Sequence, residues 1–216
     1  MTASGGYTLQ PVVDFWYELG SSYSYPAAMR IEELAKAADV TMRWRPFLLG
    51  AVFKAQGWPD TPFNLLPVKG RYMWRDLERI CAGLGLPLRR PTPFPQHTVT
   101  AARIALIGHE EGWGVAFSKA IFGAEFGDGR NIGDRAVLAE VVRSLEQPDE
   151  VFARAEAPET KARLRAETDE AQRIGIFGAP TFITEDGELF WGNDRLEQAL
   201  EWAVSARKAP QPSHRP

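Results

Sequence analysis

The segment PVVDFWYELG at residues 11–20 and the stretch SSYSYPAAMRIEELAKAA that follows it decide the fold of this chain. The first segment is rich in β-branched and aromatic residues and ends at a Gly-Ser-Ser turn, which predicts a buried strand. From Tyr25 to Ala38, apolar residues recur near helical spacing with charges between them. Residues 40–47, VTMRWRPF, then alternate apolar and polar side chains, as a strand with one wet face does. Together these patterns predict a βαβ unit.

A second strand-rich region lies near the end of the sequence. Residues 179–192, APTFITEDGELFWG, predict two short strands around a turn at residues 185–187, and residues 194–208 predict a helix. Between about residues 51 and 174, nearly all of the sequence favours helix, with Gly and Pro at the breaks. The end of the chain therefore predicts a ββα unit that follows a long helical region.

These units predict an α/β chain with a thioredoxin-like fold, in which an all-helical insertion subdomain interrupts the βαβ and ββα units. We assign residues 11–50 and 175–208 to a discontinuous thioredoxin-like domain, and residues 51–174 to the insertion. The Gly-, Ser- and Pro-rich ends, residues 1–10 and 209–216, are expected to be disordered.

Composition and charge exclude several classes of function. The chain has 216 residues, 44% of them hydrophobic, which suffices for one sizeable core. A net charge of -3 gives no electrostatic reason to expect a nucleic acid partner. No stretch reaches the roughly 18 apolar residues of a membrane span, and no apolar leader is present. We expect a cytoplasmic protein with neither nucleic acid nor membrane partners.

Cysteine and histidine usage predicts no metal site. Cys81 is the only cysteine, so an intrachain disulfide and a CxxC pair are both excluded, and its neighbours indicate a small buried hydrophobe. No metal-ligand spacing links His97, His109 and His214, for which capping or solvent exposure is the better interpretation.

Three motifs carry candidate chemistry. In GSSYSY at residues 20–25, a helix N-terminus begins beside hydroxyls that can donate to a thiolate, although simple N-capping is favoured on local sequence alone. In GAPTF at residues 178–182, a cis bond before Pro180 would turn the backbone of Ala179 toward an extended peptide, although X-Pro bonds are cis in only about 5% of cases.

The third motif is WGNDRL at residues 191–196, another helix start. Asp194 can hold an ammonium group while the amides of the first turn hold a carboxylate. Both groups occur at the γ-glutamyl end of glutathione. The alternative is a capped helix with a surface Asp and Arg.

These motifs resemble those of the family of 2-hydroxychromene-2-carboxylate isomerases and kappa-class glutathione transferases, a DsbA-like branch of the thioredoxin superfamily. The similarity covers about residues 12–203 and includes five collinear stretches. The matching stretches are DF at 14–15 with SSYSY at 21–25, RPFLLG at 45–50, NLLPVKGRYM at 64–73, FGAPT at 177–181 and FWGNDRL at 190–196.

The resemblance implies that glutathione is the cofactor and assigns its contacts. Ser21 would be the catalytic hydroxyl that hydrogen-bonds the glutathione sulfur. Ala179, before a cis Pro180, would bind the cysteinyl backbone, and Asp194 and Arg195 would lie at the γ-glutamyl end.

The sequence departs from the family pattern in two places. The usual Pro after the catalytic Ser is Ser22 here, which adds a second candidate hydroxyl for glutathione and leaves open which one faces the sulfur. Where the family has Gly-Asn, this chain has Gly57-Trp58, so an asparagine contact is missing or moved.

The family implies a glutathione-dependent isomerase that interconverts 2-hydroxychromene-2-carboxylate and trans-o-hydroxybenzylidenepyruvate types of aromatic acid in aromatic catabolism. A reversible thiolate adduct lets the double bond rotate, and the family also implies a homodimer. A glutathione transferase, or a non-enzymatic module that binds glutathione or peptide, shares these motifs. The helical region should lie over the site of the aromatic acid, and the candidates for its pocket are Phe47, Phe53, Trp58 and Tyr72 as its wall, and Lys69 or Arg71 as partner of its carboxylate.

Overall fold

The computed structural model describes residues 10–208. Gln10 lies within this part, and its side chain donates to Asp39 at 2.6 Å and accepts from Thr41 at 2.9 Å, so the predicted disorder is wrong at this position. The remaining residues for which we predicted disorder, and His214, lie outside the described residues.

A mixed sheet of four strands forms the centre of the molecule, in the order β2-β1-β3-β4. The central strand β1 pairs in parallel with β2 and antiparallel with β3, which in turn pairs antiparallel with β4. The parallel pair is joined by a helix, as a parallel crossover requires. The strands are β1 Val12–Tyr17, β2 Thr41–Pro46, β3 Thr181–Thr184 and β4 Leu189–Trp191.

Both faces of β1 are buried, and each face has its own set of partners. On one face, Phe15 stacks on Phe182 with 5.5 Å between ring centroids, in the large core that also includes apolar residues of the flanking helices. On the other face, Trp16 meets Phe47 edge-on at 6.0 Å in a smaller cluster. β1 is apolar at every position except Asp14, which pairs with Arg43 and Arg45 of β2, because neither face of the strand is open to water.

The helices confirm the predicted order of units. Helix α1, Ser24–Ala38, connects β1 to β2, and α10, Leu196–Lys208, follows β4 after a short 3₁₀ turn, Asn193–Arg195. The helices between β2 and β3 are α2 Leu49–Ala55, α3 Pro62–Leu65, α4 Pro67–Leu84, α5 Val99–Glu111, α6 Gly114–Phe122, α7 Arg135–Ser144, α8 Val151–Glu156 and α9 Pro158–Arg173. The chain therefore has the thioredoxin-like fold with an inserted helical region.

The end of the helical region packs directly on the sheet. Ala171 of α9 belongs to the same cluster as Trp16 of β1. Also on this side, Arg45 of β2 forms an ion pair with Glu167 of α9 at 2.8 Å. The subdomain limits at residues 51 and 174 remain a prediction, although α9 is closely joined to the sheet.

A buried polar contact ties the helical region to β1. The hydroxyl of Tyr17 lies 2.7 Å from that of Ser118 and 2.8 Å from Nε2 of His109. Burial lowers the pKa of His109 to about 4, so our assignment of this histidine to capping or solvent is wrong. Cys81 is 1% exposed, as predicted, and burial raises its pKa to about 11.

A π-helical turn after α6, Gly123–Gly127, carries a buried carboxyl group. Glu125 is fully buried, and neither of its carboxyl oxygens has a hydrogen-bond partner among the described residues. Burial, together with the charge of Glu18 at the end of β1, raises the pKa of Glu125 well above its usual range. Burial likewise raises the pKa of Glu18 to about 7. Folding therefore favours the protonated form of both groups.

We predict that replacing Glu125 with Gln stabilises the protein increasingly as the pH rises. In the wild type the raised pKa makes unfolding release protons, so stability is lost above about pH 4.5, by at most about 1.4 kcal/mol per pH unit for one group. Gln does not ionise and removes this loss. Urea unfolding of both proteins between about pH 5 and pH 8 would measure the difference in the free energy of unfolding.

Glu33→Gln, on the exposed surface of α1, is the matched control because it removes one carboxyl group outside the core. A stability gain for Glu125→Gln that does not increase with pH would contradict the prediction.

Candidate active site

The turn between β1 and α1 is built around Ser21. The backbone N–H of Ser24, the first residue of α1, donates to the Ser21 carbonyl at 3.0 Å and to its hydroxyl oxygen at 3.3 Å. The Ser21 hydroxyl in turn donates to the carbonyl of Ala179 at 3.0 Å. Ser21 thus accepts from the first backbone N–H of α1 and also joins two segments that are distant in sequence.

The second predicted segment is the bend before β3. The Ala179–Pro180 bond is cis, and Ala179 is 8% exposed. Its carbonyl accepts from Ser21, whereas its N–H has no hydrogen-bond partner within residues 10–208. The carbonyl of Pro180 accepts from the N–H of Gly192 at 2.9 Å, which links this bend to the turn after β4.

The two adjacent serines have different surroundings. Ser22 is 3% exposed, and its hydroxyl donates to the sulfur of Met73 in α4 at 3.1 Å. Of the two hydroxyls, the one that meets the Ala179 bend is therefore that of Ser21. The predicted contact of Ser22 with glutathione remains a prediction, and it would require this side chain to leave Met73.

The third predicted segment, the 3₁₀ turn after β4, presents a pair of exposed charges. The side chains of Asp194 and Arg195 are 73% and 53% exposed and lie 3.5 Å apart. The pKa of Tyr23, two residues after Ser21, is raised by burial, by its hydrogen bond to Asp76, and also by the charge of Asp194. The turn is therefore within electrostatic reach of the start of α1, and the fold brings all three motifs together.

The residues predicted to surround an aromatic acid are not all at the surface. Phe47 is fully buried against Trp16 and belongs to the core, which corrects its assignment to a pocket wall. Phe53 is partly buried, whereas Trp58 and Tyr72 are 40% and 61% exposed.

The segment from α3 to α4 approaches the start of α1 through Tyr23. The Tyr23 hydroxyl donates to Asp76 at 3.0 Å, and its ring lies 6.3 Å from that of Phe63. The ammonium of Lys69 lies 5.8 Å from the centre of the Phe63 ring. Lys69 and Arg71 are both exposed. This segment therefore offers aromatic surface and positive charge beside the Ser21 turn.

Sequence reasoning missed Glu18, which stands three positions before Ser21. The hydroxyl of Thr98 donates to its carboxyl group at 2.5 Å, and the Gly20 backbone also hydrogen-bonds to it. These bonds only partly offset the effect of burial on its pKa, which is about 7. The sequence feature that could have identified Glu18 is its position as a single acidic residue between a buried strand and the Gly-Ser-Ser turn.

Two further features concern metal binding and membrane spans in the described part of the chain. Among residues 10–208, no group of three or more His, Cys, Asp or Glu side chains has a metal-binding arrangement. None of the described helices is long and apolar enough to cross a membrane.

Comparisons with known proteins identify the family and the fold of this chain. The DSBA-like thioredoxin domain model matches residues 12–202. A 2-hydroxychromene-2-carboxylate isomerase from Sphingobium xenophagum is 27% identical over 198 residues, which cover 86% of this chain and 94% of the relative. Glutathione S-transferase kappa 2 from Caenorhabditis elegans is 26% identical over 219 residues, which cover 95% of this chain and 97% of the relative.

A solved structure of a selenomethionine-labelled 2-hydroxychromene-2-carboxylate isomerase superimposes with a TM-score of 0.81. It is 28% identical and covers 91% of this chain and 96% of its own. The predicted resemblance to these isomerases and to the kappa-class transferases is confirmed, and the chain belongs to the DSBA-like thioredoxin domain family.

Proposed function

We propose that this protein is a glutathione-dependent isomerase of aromatic acids of the 2-hydroxychromene-2-carboxylate type. The observation that carries the proposal is the hydrogen bond from the Ser21 hydroxyl to the Ala179 carbonyl at 3.0 Å. It places a hydroxyl donor at a helix N-terminus beside a backbone segment with an unused N–H. A peptide that carries a thiol needs the hydroxyl as a donor to its sulfur and the backbone N–H as a partner for its own backbone.

The described residues fit glutathione. The free N–H and the carbonyl of Ala179 can pair with the cysteinyl backbone as one strand pairs with another. The exposed charges of Asp194 and Arg195 are suited to the ammonium and carboxylate of the γ-glutamyl end. The N-terminus of α1, a helix of 15 residues, favours a negative charge beside Ser21.

Ser21 has one hydroxyl hydrogen, and in this structure the Ala179 carbonyl accepts it. An amide that pairs with this carbonyl competes for the same acceptor, so the Ser21 hydroxyl can turn toward a sulfur held at the helix N-terminus. Bound glutathione supplies a thiol nucleophile that adds reversibly to the unsaturated acid. In this proposal, Ser21 and the dipole of α1 favour the thiolate over the thiol, while Ala179 fixes the peptide backbone.

The α3–α4 segment supplies the side of the site that we assign to the aromatic acid. Tyr23 and Phe63 present ring surface, and the nearby Lys69 offers a positive charge for a carboxylate. Trp58 and Tyr72 are exposed and remain candidates for the same surface, as does Phe53. The proposed role in aromatic catabolism and the homodimer remain predictions that the family resemblance implies, and the cytoplasmic location remains a prediction from the sequence.

We expect Ser21→Ala to lower kcat/KM for glutathione-dependent isomerisation of 2-hydroxychromene-2-carboxylate by about 10- to 100-fold. A hydrogen bond to a charged group contributes about 1.5–3 kcal/mol, so its loss should raise the pKa of the bound thiol by about one to two units. The change in substrate absorbance measures turnover, and the absorbance of the bound thiolate as a function of pH measures its pKa.

Ser22→Ala is the matched control, and we expect it to leave the pKa of the bound thiol unchanged because its hydroxyl faces Met73. If Ser22→Ala abolishes turnover and Ser21→Ala does not, the assignment of the two hydroxyls is reversed. Glutathione consumption with an electrophile but no isomerisation would indicate a transferase. Glutathione binding with neither reaction would indicate a binding module.

We further expect Lys69→Gln to raise KM for the aromatic acid about fivefold, with little change in the affinity for glutathione. A fivefold rise in KM corresponds to the loss of about 1 kcal/mol of binding free energy, which is expected for a partly solvated ion pair with the substrate carboxylate. Lys54, on α2, is also exposed, and Lys54→Gln should change neither the KM for the aromatic acid nor the affinity for glutathione. Equal KM values for Lys69→Gln and the wild type would remove Lys69 from the substrate site.

A further inference from the structure

The side chain of Arg30, in the middle of α1, is held by the turn that follows β4. Its Nε donates to the side-chain oxygen of Asn193 at 3.2 Å, and one terminal nitrogen donates to the Asn193 carbonyl at 2.5 Å. Its other terminal nitrogen forms an ion pair with Glu197 in the first turn of α10. All three contacts reach the same short segment.

The contacts to Asn193 are partly buried, whereas the Glu197 side chain is 49% exposed. The Arg30 side chain is 18% exposed, and Asn193 is 7% exposed. The planar guanidinium group donates to both Asn193 oxygens at once, which fixes the orientation of this residue more closely than a single contact does. An arginine that only solubilised the helix surface would not be bound from three sides.

The turn held by Arg30 is the one that presents Asp194 and Arg195. The 3₁₀ turn begins at Asn193, so the orientation of Asn193 sets where the next two side chains lie. The residue just before the turn, Gly192, donates its N–H to the Pro180 carbonyl at 2.9 Å. The turn therefore has two anchors, one on the bend before β3 and one on α1.

Helix α1 consequently contacts both ends of the proposed glutathione site. Its N-terminus lies at Ser21, and Arg30 stands six residues after the first residue of the helix, about 9 Å along its axis. A rigid helix keeps this spacing constant. The side chain of Arg30 therefore sets the position of the turn that carries Asp194 and Arg195, relative to the Ser21 end of the site where the thiol would bind.

We propose that Arg30 is a positioning residue for the γ-glutamyl end of glutathione, because it holds the turn that carries Asp194 and Arg195. This inference rests on the proposed function and extends it to a residue that does not itself touch the ligand. In this proposal Arg30 affects the affinity for the γ-glutamyl group, whereas the activation of the thiol depends on Ser21.

The test compares Arg30→Lys with Glu197→Gln. Lys keeps the charge and can still pair with Glu197, but it lacks the planar fork that meets both Asn193 oxygens. Glu197→Gln removes the ion pair and leaves the contacts to Asn193 in place. Isothermal titration calorimetry with glutathione and with cysteinylglycine, which lacks the γ-glutamyl group, measures the effect on each part of the ligand.

We expect Arg30→Lys to weaken glutathione binding about tenfold, the effect of roughly one charge-assisted hydrogen bond, and to leave both cysteinylglycine binding and the pKa of the bound thiol unchanged. Glu197→Gln should bind both peptides as the wild type does. If Arg30→Lys does not fold, Asn193→Ala makes the same comparison, since it removes one of the two oxygens that Arg30 contacts.

The outcomes distinguish this inference from the function on which it rests. If the wild type does not bind glutathione, the proposed function fails. If the wild type binds glutathione and Arg30→Lys binds it equally well, or loses affinity for both peptides alike, the positioning role is wrong and the proposed function stands. A loss in Glu197→Gln equal to that in Arg30→Lys would assign the effect to the ion pair and overturn the role of the Asn193 contact.

Discussion

The antiparallel pairing of β1 with β3 is the constraint on which the candidate site depends. Phe15 lies opposite Phe182 in this pairing, so the carboxyl end of β1 and the amino end of β3 meet at the same edge of the sheet. That edge brings Ser21 within 3.0 Å of the Ala179 carbonyl. A shift of one residue would turn Phe15 and its neighbours to the opposite face, so burial on both faces fixes the register.

Helix α1 is the second element that organises the site. Its first turn meets Ser21, and its middle holds the turn after β4 through Arg30. The same helix buries its apolar side in the large core, which fixes its rotation and therefore the direction of Arg30. Core packing and the arrangement of the polar site are thus not independent, because both depend on the orientation of one helix.

The junction between β1 and the helical region includes polar groups that burial makes costly. Tyr17 is satisfied there by hydroxyl and imidazole partners, whereas the Glu125 carboxyl has none among the described residues. A buried carboxyl group without a partner is tolerated mainly in its neutral form, since ionisation in a low-dielectric interior is strongly unfavourable. The helical region therefore does more than cover the sheet, because its packing, together with the charge of Glu18, raises the pKa of Glu125 and favours its protonated form.

Sequence alone determined the order of strands and helices, the absence of a cysteine pair and the three motifs around Ser21, Pro180 and Asp194. These features depend on neighbouring residues, through periodicity, turn chemistry and helix capping. The tertiary structure decided that Ser21 and not Ser22 meets Ala179, that Phe47 belongs to the core, and that Arg30 holds the turn that carries Asp194. Such contacts join residues as far as 163 positions apart, and only the packing of the sheet and helices fixes which side chains meet.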